Sequence, residues 1–189
     1  MTTAGATDRR VHVRAPGKIN IAFDVGDVQP DGYHDVASVY QAVSVYEDVW
    51  AQVADDFTVA VTGDLDVAGV PLDGTNLAVR AARRVADRLG WARGIHLDIH
   101  KGVPVAGGMG GGSADAAAAL VAVNELLGGG LTALELQELG APLGADGRRQ
   151  HQRGGAVVRN ASRTRVSRPY RQASRRRGSI IFARQWTCR

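Results

Sequence analysis

The feature that most constrains this chain is a stretch without side chains. Five of the six residues from Gly107 to Gly112 are glycine, and Met109 is the sixth. The flanks fix how such a stretch can be used. Ile95-His96-Leu97-Asp98-Ile99-His100 alternates apolar and polar residues, the period of a half-buried strand. Ala114 to Leu127 is rich in alanine and leucine and reads as a helix, with Ser113 placed as its N-cap. The order is strand, glycine loop, helix. Bare backbone N–H groups at a helix start can close around an anion, helped by the partial positive charge of the helix end.

Pro104, Val105, Ala106, Gly107, Gly108, Met109, Gly110, Gly111, Gly112, Ser113 and Ala114 are therefore the candidate triphosphate-binding segment. A flexible linker is the competing interpretation, but linkers do not run from an amphipathic strand into a strong helix former. Two other phosphate loops are excluded. No lysine lies between Gly102 and Ser113, so this is not a Walker loop, and no register supplies glycines at offsets zero, two and five.

The rest of the body reads as strands first, then strands mixed with helices. A short strand is expected over Val11–Arg14 and a second over Ile19–Val25, with Lys18 in a turn between them. Gln29-Pro30-Asp31-Gly32 is turn chemistry. Val39 to Val53 holds one bent strand or two, and Phe57, Val59 and Val61 alternate up to Gly63. Leu77, Ala81, Val85 and Leu89 form one face of a helix, and Thr132-Ala133-Leu134-Glu135 is a capping-box pattern. This order predicts an α+β sandwich and not a doubly wound parallel sheet. His96, Asp98 and His100 share one strand face, and His-x-Asp-x-His could bind a divalent ion, but the same spacing is the wet face of an amphipathic strand. Asp115 falls near the start of the expected helix, where a carboxylate complements the helix dipole or takes part in the site.

Charge divides the 189 residues in two. Met1 to Asp146 carries two lysines, eight arginines and 19 acidic residues, a net −9, whereas Gly147 to Arg189 carries 13 arginines and no lysine or acid. The single cysteine, Cys188, has no partner for an internal disulfide, which favours a reducing compartment. Met1–Asp8 lacks the apolar core of a signal peptide, and no stretch has the length of a membrane span. A cytoplasmic protein without membrane contact is expected.

Four segments, in chain order, resemble motifs of the GHMP kinases, the small-molecule kinases named for galactose, homoserine, mevalonate and phosphomevalonate. They are Arg14-Ala15-Pro16-Gly17-Lys18-Ile19-Asn20, Asp31-Gly32-Tyr33-His34, the Pro104–Ala118 stretch, and Leu143-Gly144-Ala145-Asp146. The resemblance covers residues 10 to 146. It implies a GHMP-kinase N-terminal domain over residues 1–146, a sandwich like domain 2 of ribosomal protein S5, with ATP and Mg²⁺ as cofactors. Within the family the likeness is nearest to kinases of a cytidine diphosphate-linked methylerythritol, whose 2-hydroxyl is phosphorylated in the non-mevalonate isoprenoid pathway. By that resemblance Asp146 is the general base and Lys18 its partner cation. Asn20 orients the substrate beside Lys18. Tyr33 stacks on the cytidine end and His34 gives it a polar contact. Tyr40 lines the same pocket or belongs to the core. The Ser113 hydroxyl, at a helix start, is the contact for Mg²⁺ or phosphate.

The family pattern is lost after Asp146. Gly147-Arg148-Arg149-Gln150 stands where a Val-Pro-Phe segment and a further domain would follow. Residues 147–189 are accordingly expected to be an arginine-rich tail, disordered or read out of frame, with the C-terminal domain missing and apolar surface left exposed. Two alternatives follow: an inactive kinase fragment, or a nucleic-acid-binding arm using the 13 arginines with Tyr170, Phe182 and Trp186. Such an arm is expected to bind nucleic acid only nonspecifically.

Overall fold

A computed structural model describes the backbone of residues 9–28 and 34–143, and the side chains of 9–22 and 40–143. The elements are β1 (Arg10–Val28), β2 (His34–Ala54), β3 (Thr58–Gly63), α1 (Leu77–Leu89), β4 (Gly94–Lys101), α2 (Gly111–Leu126) and α3 (Ala133–Gly140). The strands form one sheet in the order β1-β2-β4-β3. β1 and β4 run antiparallel to β2, while β3 runs parallel to β4. A parallel neighbour needs a crossover, and α1 supplies it.

The period-2 pattern decides the layers. Val13 and Ala15 on β1, Val49 and Ala51 on β2, and Ile95, Leu97 and Ile99 on β4 are buried against α1 and α2. α1 turns Ala78, Ala81, Ala82 and Val85 into this layer; α2 contributes Ala114, Ala116, Ala118, Ala119, Ala122 and Val123. Alanines on both helices let their backbones approach the sheet and each other closely. The α+β layering expected from the sequence is what these elements build.

The inward rows end together. Ala15 pairs with Glu47, Glu47 with Lys101, and Lys101 with Gly63, so these four residues form one line across the sheet. Two of them, Glu47 and Lys101, are buried charges. The glycine loop leaves the sheet immediately after Lys101.

Three local expectations need correcting. β1 is one strand of 19 residues and not two, so Lys18 lies in a strand and not in a turn. Pro16 and Gly17 look like a turn in sequence, but the pairing register slips between Pro16 and Lys18 and the strand continues. A bulge absorbs the irregularity there, and a Cβ on Gly17 would sit 3.0 Å from Val103 Cγ2. Ser113 is not the N-cap of α2. Gly110 caps it at φ 76°, and the first helical bond runs from Ala114 N–H to Gly110 O, 2.9 Å. Only glycine adopts that cap conformation without strain. Asp115 consequently lies in the second turn of α2, buried, and not at the helix end.

Other signals hold. Asn76 caps α1 through Oδ1, which accepts from Ala78 N–H at 2.9 Å. Both halves of the capping box form at α3: Glu135 N–H donates to Thr132 Oγ1, and Thr132 N–H donates to Glu135 Oε2. β2 is a single strand, one of the two options left open for Val39–Val53. His96, Asp98 and His100 lie on the helix-free face. Thr58 Oγ1 lies 2.7 Å from His96 Nδ1, and Arg10 Nη2 donates to Asp98 Oδ2 at 2.7 Å. Among the described residues no group of three His, Cys, Asp or Glu side chains could hold a metal ion.

Candidate active site

The loop from Val105 to Gly110 is built from alternating left-handed residues. Ala106, Gly108 and Gly110 have φ of 60°, 69° and 76°. Alternation of this kind turns successive N–H groups toward one side, the geometry of an anion nest. A turn closes its base, with Gly107 N–H donating to Pro104 O at 3.3 Å. Beyond it, Gly111, Gly112 and Ser113 precede the first intrahelical donor, Ala114 N–H, so helix geometry leaves their N–H groups for an outside partner. A Cβ on Gly108 would meet open space, so glycine is needed there for its backbone conformation and not for room. Ser113 is exposed at the third position of α2.

Onto this loop β1 delivers Lys18. Its backbone N–H donates to Met109 O at 2.9 Å, and its Nζ donates to Gly108 O at 2.8 Å. The same Nζ donates to Asn20 Oδ1 at 2.8 Å and lies 5.0 Å from the centre of the Tyr40 ring. The Lys18 stem also passes 3.5 Å from where a Cβ on Gly110 would be. Lys18, Asn20, Tyr40 and the glycine loop, spread over 90 residues of sequence, therefore share one site. Tyr33 and Asp146 lie outside the described residues, as does the whole of residues 147–189; His34 opens β2, its side chain outside the described set.

Beneath the loop lies a cluster that the sequence reading did not identify. Lys101 Nζ donates to Glu47 Oε1 and to Asp115 Oδ2, each at 2.6 Å, and Gly102 N–H donates to Glu47 Oε2 at 3.2 Å. All three side chains are buried. Burial pushes the Asp115 carboxyl up to about 7, opposed by the Lys101 ammonium and assisted by the Glu47 carboxylate. Asp115 Oδ1 is buried without a hydrogen-bond partner. A signal for this cluster exists in the sequence. Glu47 falls in period with the inward Val49 and Ala51, and Lys101 is one of only two lysines in the chain.

A profile of the GHMP kinases N terminal domain matches residues 76–155. The chain carries a GHMP kinase N-terminal domain. Among its relatives, a 4-diphosphocytidyl-2-C-methyl-D-erythritol kinase of Clavibacter michiganensis subsp. michiganensis is 56% identical over 146 residues, 77% of this chain and 47% of that protein. One of Leifsonia xyli subsp. xyli is 58% identical over 137 residues, covering 72% and 45%. The crystal structure of a 4-(cytidine 5'-diphospho)-2C-methyl-D-erythritol kinase superposes on 71% of this chain and 46% of its own, with TM-score 0.57 and 28% identity. The chain thus spans about half the length of the curated relatives it matches. In the GHMP domain described here, the loop, α2 and the β1 lysine are the parts that meet. No helix among the described residues is long and apolar enough to cross a membrane.

Proposed function

We propose that this chain is the nucleotide-holding part of an ATP-dependent kinase that phosphorylates the 2-hydroxyl of 4-diphosphocytidyl-2-C-methyl-D-erythritol in the cytoplasm. The observation that carries the proposal is the Lys18 ammonium, bonded to Gly108 O and Asn20 Oδ1 at the mouth of a loop of bare amides. The donor set fits a triphosphate: the amides from Gly108 to Ser113, one ammonium and, among the described residues, no carboxylate bonded to Lys18. ATP, when bound, supplies the phosphoryl group, and Mg²⁺ is expected to arrive on the triphosphate with the Ser113 hydroxyl as its protein oxygen.

Phosphoryl transfer depends mainly on position and charge. Lys18 stabilises negative charge developing on the attacking oxygen, and Asn20 holds the ammonium in place. Asp146 is assigned as the base that takes the hydroxyl proton, by the family motif it occupies. Tyr33 and His34 are assigned to the cytidine end on the same ground, with Tyr40 closing the pocket around the lysine.

The test is an ATP-dependent phosphorylation assay on 4-diphosphocytidyl-2-C-methyl-D-erythritol with the full chain, its Lys18→Ala and Asp146→Asn variants, and Mg-ATP titrations on each. Turnover that needs both residues supports the assignment. Wild-type turnover that survives both substitutions removes it. Mg-ATP binding without turnover retains the nucleotide site and rejects the catalytic assignment for this chain.

A further inference from the structure

The buried cluster under the loop has no part in the chemistry just described. It stands where three elements meet: Glu47 on β2, Lys101 at the end of β4, and Asp115 in the second turn of α2. The glycine loop touches it directly. A Cβ on Gly111 would lie 2.6 Å from Glu47 Oε1, 3.1 Å from Lys101 Nζ and 3.3 Å from Val103 Cγ1. Gly111 is therefore bare because the cluster occupies the space its side chain would need.

We propose that Lys101 is the positioning residue of the phosphate loop: its ammonium ties the second turn of α2 to the inner row of β2, and so fixes the direction in which the Gly107–Gly112 amides point. The inference deepens the nucleotide-site reading and rests on it for its purpose, though not for its geometry. Other contacts leave this end of α2 under-determined. Its N-cap Gly110 makes no side-chain capping bond, and the helix buries mainly alanines, which pack closely but interlock little. Lys18 holds the loop ahead of the helix through Met109 O and Gly108 O. Within the first two turns of α2 the 2.6 Å bond from Lys101 to Asp115 is the directional side-chain contact among the described residues, and its 2.6 Å bond to Glu47 anchors it to β2. Neutral packing of the same volume would bury the helix equally well but would not specify its rotation.

The experiment uses the full chain labelled with ¹⁵N-glycine. The first variant, Glu47→Gln/Lys101→Met/Asp115→Asn, removes all three ionisable groups together, so no charge is left buried alone. The expected result is that the Gly107, Gly108, Gly110, Gly111 and Gly112 amide signals shift or broaden. Gly90, Gly128 and Gly130, which follow the C-terminal ends of α1 and α2, should keep theirs. Mg-ATP affinity should fall by about tenfold or more, the scale expected when reactive groups are displaced by a fraction of an ångström to an ångström. Lys101→Arg is the second variant. It keeps the charge, and its broader head group displaces Gly111, so the same signals should move. Either folded variant with its loop signals superimposed on the wild type overturns the proposal. A wild-type chain that does not bind Mg-ATP overturns the nucleotide reading instead, and the glycine spectra still decide whether Lys101 positions the loop.

Discussion

Asp115 makes the stability of this domain depend on pH in the direction opposite to most carboxylates. Its carboxyl is pushed from 3.8 to about 7 by burial, with Lys101 pulling it down and Glu47 pushing it up. The folded protein therefore holds a proton on Asp115 that the unfolded chain releases above pH 4. Stability on this account is full below about pH 4, falls as pH rises toward 7, and levels off above that. Roughly three pKa units at about 1.4 kcal/mol each give a loss of about 4 kcal/mol across that window. Asp115→Asn removes the titrating group and leaves an oxygen for Lys101 to donate to. The assay is urea unfolding of both proteins from pH 4.5 to 8. The difference in unfolding free energy, variant minus wild type, should rise with pH by a few kcal/mol and flatten above about 7. A difference that stays constant across the range would refute the claim that burial dominates at this carboxyl.

Other outcomes follow from the same geometry. Gly110→Ala places a methyl group at φ 76° beside the Lys18 stem; thermal unfolding should show a cost of about 1–2 kcal/mol, and calorimetry a loss of Mg-ATP affinity. Thr132→Ala removes one half of the α3 capping box and should cost about 1 kcal/mol in urea unfolding, with Mg-ATP binding unchanged. Leu97→Ala opens the centre of the inner β4 row, and about 2–5 kcal/mol of stability should be lost.

Much of this domain is written locally. The alternation in β4, the four-residue spacing of Leu77, Ala81, Val85 and Leu89, and the Thr132–Glu135 box each use near neighbours, and each forms as read. The misreadings occur where a distant contact decides. Pro16-Gly17 has turn composition, yet pairing with β2 carries the strand through it. Ser113 has the chemistry of a cap, yet Gly110 takes that place because the cap needs a left-handed residue. Lys18 reaches Gly108 across 90 positions, a contact that nothing local to either residue encodes. Glu47 was readable from its phase with Val49 and Ala51, but its partner depends on the register between β2 and β4.

The alanines of α2 carry a consequence for how this domain can vary. An alanine has no χ rotamers with which to absorb a neighbour's change. A larger residue at Ala118, Ala119 or Ala122, all wholly buried, would have to be accommodated by translating the helix as a rigid rod. Because that rod ends in the anion loop, a substitution about two to three turns away would be felt at Gly111 as a displacement and not as a local dent. Tolerance to mutation along α2 should therefore follow side-chain size more closely than polarity or distance from the loop.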